Sequence, residues 1–226
     1  RRKDRLDQLA TDLRKNNPSI KTWVIDMDFS KKGAGQSLFD KVQEQGLEVD
    51  FLVNNAAFGS GGEFSKLPLK REMEMIELNI LTLVEITHLF LPQMLKRGSG
   101  RILNVGSLAG FQPGPYMATY SATKAFVNSF SEALHEELQG TGVTCSVLAP
   151  GYTATEFQKA ADFKSTDVPA VWMSAEQVAR DGYRAMMKGS AMKVSGFVNQ
   201  LTAQSLRIAP RIMARKIAAK LYRTQI

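Results

Sequence analysis

A tyrosine and a lysine stand four residues apart in Tyr-Ser-Ala-Thr-Lys at 120–124. A helix through them puts a phenol and an ammonium on one face, a turn apart. A free phenol titrates near pH 10 or about that. A fixed cation a few ångströms away favours the phenolate and draws that value toward neutrality, which makes the group a usable general acid or base. The spacing is common, and alone it fits a solvated helix face equally well. Three other stretches give it context. Residues 101–107 read as a short buried strand ending in the hydroxyl of Ser107. Residues 52–56 form another strand end, carrying the amides of Asn54 and Asn55 and then Ala56. Pro150 and Gly151 close a third strand and open a loop holding Thr153 and Thr155.

Other chemistries fit less well. A serine hydrolase needs a histidine near its serine, but His88 and His135 fall inside helical patterns, and the residues around Ser107 do not form the G-x-S-x-G elbow. Two histidines and one cysteine in unrelated segments offer no metal-ligand spacing, so no metal is expected. The lone Cys145 excludes an intrachain disulfide framework and suits a reducing compartment; in an apolar strand it reads as a buried small hydrophobe.

The set resembles the short-chain dehydrogenase/reductase family, in which a serine, a tyrosine and a lysine interconvert an alcohol and a ketone with a nicotinamide cofactor. The resemblance implies that Tyr120 donates or accepts the hydroxyl proton. Lys124 would lower its pKa and hold the nicotinamide ribose, and Ser107 would hydrogen-bond the reacting oxygen. Asn79 matches the helix asparagine that completes the family's tetrad and orders a water. Asn54-Asn55-Ala56 matches the family's Asn-Asn-Ala-Gly, with Ala57 in place of the glycine. Pro150, Gly151, Thr153 and Thr155 resemble the contacts to the nicotinamide carboxamide and phosphate. Asp28-Phe29-Ser30 resembles the adenine-contacting turn, although Asp28 as a plain helix cap explains it too. Arg1 and Arg2 occupy the place of the base that pairs with a ribose 2′-phosphate, which favours NADP over NAD; solvated arginines at a helix start are the plain alternative.

The implied fold is α/β, a doubly wound parallel sheet of Rossmann type lacking its first two strands, in one domain over residues 1–226. At 226 residues with 44% hydrophobic content a full core is within reach. Residues 1–15 read as a helix with Leu6, Leu9, Ala10 and Leu13 on one stripe. Residues 22–28 read as a strand, 38–45 as a helix and 49–54 as a buried parallel strand. A long helix over 70–96 carries Asn79, the reactive helix runs over 120–139, and strands are expected at 143–149 and, as an edge, at 194–198. A helix from Ser174 to about residue 188 starts with a capping box. No strand and glycine-rich phosphate loop precede the first helix, so the chain is read as N-terminally shortened, unstable and inactive as it stands, with poor dinucleotide affinity.

The net charge of +7 invites a nucleic-acid reading, but the basic residues cluster at the two ends without interleaved aromatics, and no nucleic-acid partner is expected. No apolar run of about 20 residues and no secretory leader is evident, so a cytoplasmic protein is the expectation. Residues 207–226 read as a basic amphipathic helix that lies on a membrane, meets a partner, or docks its Ile208, Ile212, Ile217 and Leu221 on the core. Phe58, Phe111, Tyr116, Met117 and Phe157 are candidates for an apolar pocket, implying a small-molecule apolar alcohol or ketone, and residues 156–173 for a lid over it. A homo-oligomer through the helices of Asn79 and Tyr120 is expected by family analogy. A dinucleotide-binding regulatory or scaffold protein with little turnover is the alternative function.

Overall fold

The computed structural model describes residues 2–161 and 171–223. Helix α1 (Lys3–Asn16) opens the chain, and α2 (Ala34–Glu44) follows from Gly33, which takes the left-handed φ of +74° that a glycine tolerates. Strand β1 (Phe51–Asn54) leads into α3 (Leu69–Ile76), a π-helical segment (Glu77–Thr82), α4 (Leu83–Arg97) and strand β2 (Gly100–Val105). Helix α5 (Ala118–Glu137) connects β2 to β3 (Val143–Ala149). Beyond it come β4 (Thr153–Ala154), α6 (Phe157–Ala160), β5 (Met173–Ser174), α7 (Ala175–Lys188) and β6 (Met192–Val194), then α8 (Phe197–Ile208) and α9 (Arg211–Arg223).

The main sheet has the order β1-β2-β3-β6, with every pair parallel. Parallel neighbours need long crossovers, and helices supply them here. On one face Leu52, Ile102 and Cys145 pack against Val42, Ile86, Phe90, Met94 and Leu134 of α2, α4 and α5. On the other, Leu103 and Leu148 meet Val178 and Met186 of α7. Ser174 caps α7 by accepting from the Gln177 N–H, as its sequence signature implies. Both layers hold the carboxyl ends of the strands open, which is where such folds bind ligands.

The continuous helical run Leu69–Arg97 is long and apolar enough, by length and composition, to cross a membrane, which the sequence reading did not anticipate. Its Ile86, Phe90 and Met94 belong to the core, so the run is a packed helix of the α/β layer.

Four sequence expectations need correction. Residues 22–28 form no strand, because the ladder begins at β1 and strand structure requires a paired neighbour. The expected stripe of α1 lies largely exposed, with only Ala10 buried. The strand expected at 194–198 ends at Val194: Gly196 turns the backbone at φ +84°, and Phe197 and Val198 open α8 instead. The tail is not one helix from 207, since Pro210, which has no amide hydrogen to continue the ladder, separates α8 from α9. Residues 162–170 of the expected lid, Arg1 and residues 224–226 lie outside the described residues.

Candidate active site

Tyr120 and Lys124 occupy the first two turns of α5, both buried, and both line a cavity of about 1040 Å³ at the carboxyl ends of β2 and β3. Ser107 sits two residues beyond β2 and lines the same cavity, where its hydroxyl accepts the Ala109 N–H at 3.1 Å. The Lys124 ammonium donates to the Val105 carbonyl at 2.7 Å and stands 5.9 Å from the centre of the Tyr120 ring. Phe157 closes over the tyrosine, ring centres 5.2 Å apart. The three side chains singled out from the sequence therefore share one cleft.

Their electrostatics differ from the sequence expectation. Burial pushes the Tyr120 phenol up to about 12, and the hydrogen bond from Ser107 opposes that only in part. Burial is the larger effect on the phenol; the Lys124 ammonium, donating to the Val105 carbonyl, is itself lowered by burial to about 8. In this state the phenol is a held proton, ready for donation.

What brings Ser107 to α5 is a device that spacing alone did not reveal. Asn128, two turns beyond Tyr120, accepts the Ser107 N–H at 3.4 Å through Oδ1 and donates from Nδ2 to the Ser107 carbonyl at 3.1 Å. Gly106 makes room, since a Cβ there would collide with Asn128 Oδ1. Gly110 does the same farther on, where a Cβ would lie 2.7 Å from the Lys124 carbonyl oxygen. Just before α5, Tyr116 holds φ +65°, an uncommon conformation for a non-glycine residue and one that turns the chain into the helix. Asn128 on the Tyr120 face of the helix, at i+8, was the available signal.

Asn79 lies in the π-helical segment, a feature frequent at functional sites. Its amide is engaged away from the cavity: Nδ2 donates to the Phe58 carbonyl at 3.0 Å and to Thr123 Oγ1 at 3.1 Å, while Oδ1 accepts the Phe58 N–H at 3.2 Å. It thus ties the loop after β1 to α5 one residue before Lys124.

The expected cofactor residues separate into two groups. Asn55, Pro150, Gly151, Thr153 and Thr155 line the cavity with Tyr120 and Lys124. Asn54 does not: its Nδ2 donates to Thr87 Oγ1 at 3.0 Å and Asn104 Oδ1 at 2.8 Å, and Asn104 in turn reaches Ser131, so Asn54 ties β1 to β2 and α4 inside the fold. Ala56 is exposed and outside the lining. Asp28 accepts both the N–H and the hydroxyl of Ser30 in a local turn and does not cap α2, whose N-cap is Gly33, while Phe29 packs on the core. Arg2 joins Arg5 on the Glu156 carboxylate at 2.6 and 2.8 Å rather than facing the cavity. Those contacts hold Glu156 down at about 2, Arg5 being the larger cause.

Of the expected apolar pocket, Met117 and Phe157 line the cavity, whereas Phe58 and Tyr116 pack behind it and Phe111 is not part of it. Sequence reasoning missed Gln112, Tyr152 and Tyr222, the last brought in by α9 from the far end of the chain. Among the described residues no group of histidine, cysteine and carboxylate side chains is placed to hold a metal. Cys145 is buried, with its thiol pushed up to about 12 by that burial, as befits a packed side chain.

A nicotinamide cofactor fits the donors present. Lys124 uses one N–H on Val105 and has the chemistry to bind a ribose diol, while Asn55 and the threonines supply amide and hydroxyl groups. Among the described residues no glycine-rich strand-to-helix turn lies at the cavity to meet a pyrophosphate.

A parallel α/β sheet with a serine, tyrosine and lysine in a cleft at its carboxyl edge defines a protein of Rossmann-like fold. The family profile described as short chain dehydrogenase matches residues 1–165, and the chain belongs to that family. It is 37% identical over 167 residues to the very-long-chain 3-oxoacyl-CoA reductase of Homo sapiens, covering 70% of this chain and 51% of that protein. With the Mus musculus counterpart it shares 32% identity over 226 residues, 96% of this chain and 68% of the relative. The chain thus spans about half the length of most of the very-long-chain reductases it matches. Among solved structures, a short-chain dehydrogenase from Sphingobium yanoikuyae in complex with NADPH superimposes with a TM-score of 0.80 at 25% identity, covering 93% of this chain and 84% of that one. A 7beta-hydroxysteroid dehydrogenase structure superimposes at 0.84 and 24% identity over 96% of this chain and 84% of that chain, a likeness of fold alone.

Proposed function

We propose that this chain carries the proton-transfer centre of an NADP-linked reductase that converts an apolar ketone, of the acyl-chain type, to its alcohol. The observation that carries the reading is that Ser107, Tyr120 and a buried Lys124 line one cavity. Ser107 hydrogen-bonds the carbonyl oxygen and polarises it. Tyr120 holds a proton at Oη through the neutral range and gives it to that oxygen as negative charge develops. Lys124, Asn55, Thr153 and Thr155 hold the ribose and carboxamide end of the cofactor, which supplies a hydride when bound. The side chains of Met117, Phe157, Leu148 and Val178 along the wall exclude water and accept an aliphatic chain.

The acyl substrate class rests on the likeness to the very-long-chain 3-oxoacyl-CoA reductases of human and mouse, and the choice of NADP on the NADPH complex of the Sphingobium structure. A cytoplasmic setting fits the free, buried Cys145. Pairing of two copies through the helical run Leu69–Arg97, which carries Asn79, and through α5 fits the exposed Leu81 and Phe126.

The test is NADPH consumption with a 3-oxoacyl thioester, measured beside NADH and for Tyr120→Phe and Ser107→Ala. Turnover that needs both side chains and prefers NADPH is the expected result. Cofactor binding without turnover on acyl, steroid and small ketones would sink the reading in favour of a binding protein.

A further inference from the structure

The last two helices dock on the protein with the wrong residues for an ordinary amphipathic pair. Helix α9 turns Ala214, Ala218 and Tyr222 inward, at i, i+4 and i+8, with Ala218 only 1% exposed. Its bulky aliphatics point away: Ile212 is 58% exposed and Ile217 65%. On α8 the buried residues are Asn199 and Ala203, while Phe197 and Leu201 stand out and Ile208 reaches 88% exposure at the corner. Ile208 and Ile212 flank that corner, two residues to either side of Pro210. Of the alternatives the sequence left open, docking on the core does not hold for Ile208, Ile212 and Ile217, and only Leu221 of that set turns inward. A helix that docks through alanine leaves the burial of each large aliphatic unused until another apolar phase covers it.

Charge says what that phase is. After Asp181 the remaining 45 residues contain nine Lys and Arg and neither Asp nor Glu, in a chain whose total net charge is +7. The cationic excess of the protein thus resides on this end, and Arg211, Arg215, Lys216 and Lys220 alternate with the exposed Ile212, Met213 and Ile217 on one helix. Guanidinium and ammonium groups interleaved with exposed aliphatics suit an interface that is anionic at the surface and hydrocarbon beneath. A nucleic acid would use the cations and leave the isoleucines in water. A second copy would set nine cations against nine.

We propose that α8 and α9 form a docking surface for an anionic lipid bilayer, the isoleucines entering the acyl boundary and the basic side chains meeting the headgroups. Val198 and Thr202 of α8, with Leu221 and Tyr222 of α9, also wall the cavity that holds Tyr120. The helices that touch the bilayer are the helices that shape the substrate cavity, so a membrane-dissolved acyl ketone passes between the two phases without crossing bulk water. That second step rests on the reductase reading; the docking surface does not.

The experiment is co-sedimentation of the chain with sonicated vesicles of neutral phosphatidylcholine, and of the same lipid containing phosphatidylserine, at low and at physiological salt. Binding to the anionic vesicles only, weakened by salt, is expected. Arg215→Gln with Lys216→Gln should weaken it about five-fold per charge removed, and Ile212→Glu with Ile217→Glu about ten-fold or more. Because those side chains project outward, the variants should keep the wild-type melting temperature and the wild-type rate on a water-soluble short ketone. Equal binding to neutral vesicles, no loss in the isoleucine variant, or a salt-sensitive complex with an oligonucleotide in place of vesicles would overturn the proposal. So would self-association in sedimentation velocity that the isoleucine variant abolishes. Vesicle binding with no turnover would remove the reductase reading and leave the docking surface standing.

Discussion

The Asn128 side chain closes a two-point bond around the peptide of Ser107, one amide meeting both the N–H and the carbonyl of the residue that shares the cavity with Tyr120. The serine follows a strand and the tyrosine starts a helix, and this clamp is what sets one against the other. Asn128 touches no reacting atom and acts through Ser107, as a positioning residue.

Asn128→Asp should lower kcat by ten-fold or more on any ketone the protein reduces, with KM for the cofactor little changed, because the isostere keeps the shape and loses the N–H donor. Stability should fall by about 1–3 kcal/mol, the cost of leaving a buried carbonyl without its partner. Gly106→Ala should reproduce the kinetic defect, since its methyl group takes the place of the Asn128 oxygen. Steady-state kinetics beside urea unfolding test both; an Asn128→Asp protein with full kcat would show that the serine is held by other means.

Tyr120→Phe should cost about 10²–10⁴ in turnover while cofactor binding persists, since it removes the proton donor and little volume. Stopped-flow hydride transfer measures the rate, and fluorescence titration measures the binding.

Asn54→Ala should behave as a fold mutation and not as a cofactor mutation. Its amide joins Thr87 and Asn104, so removal strands two polar partners at a cost of about 1–3 kcal/mol. Asn55→Ala, on the cavity wall, should instead raise the cofactor dissociation constant with little change in the unfolding midpoint. The opposite pattern would return Asn54 to the cofactor site.

Lys124 makes stability depend on pH in a definite direction. Burial lowers its ammonium from the ordinary lysine value to about 8, so the folded state carries a penalty that is fully present below pH 8. Between pH 8 and the lysine value of about 10.4 the unfolded chain binds more protons than the folded one, and stability should rise with pH. Tyr120 has the opposite effect at higher pH: with its folded value near 12 and an unfolded value of about 10, stability should fall as pH climbs between them. Denaturant midpoints recorded from pH 7 to 10 should climb in the wild type and stay flat in Lys124→Met.

Most of the reactive chemistry was legible before any coordinates. Helix spacing placed Tyr120 and Lys124 on one face, because i and i+4 on a helix have their direction set by the backbone itself, while the family resemblance singled out Ser107 and the strand ends carrying Asn55 and Pro150. Helices α5 and α7 and strand β3 likewise announce themselves through periodicity and caps. Where spacing was ambiguous, both outcomes occurred. Asn55 lines the cavity and its neighbour Asn54 does not, since β1 ends at Asn54, whose side chain is held by Thr87 and Asn104, and the chain turns out of the sheet at Asn55.

The sequence by itself determined which groups are present to move a proton and on which elements they ride, because helix and strand geometry are properties of consecutive residues. Only the tertiary structure decided how tightly the phenol holds that proton, which asparagine orients the serine, and that the tail presents isoleucine to the outside while alanine docks. Desolvation, long-range hydrogen bonds and the choice of buried face all depend on partners distant in the chain, and no local pattern records who those partners are.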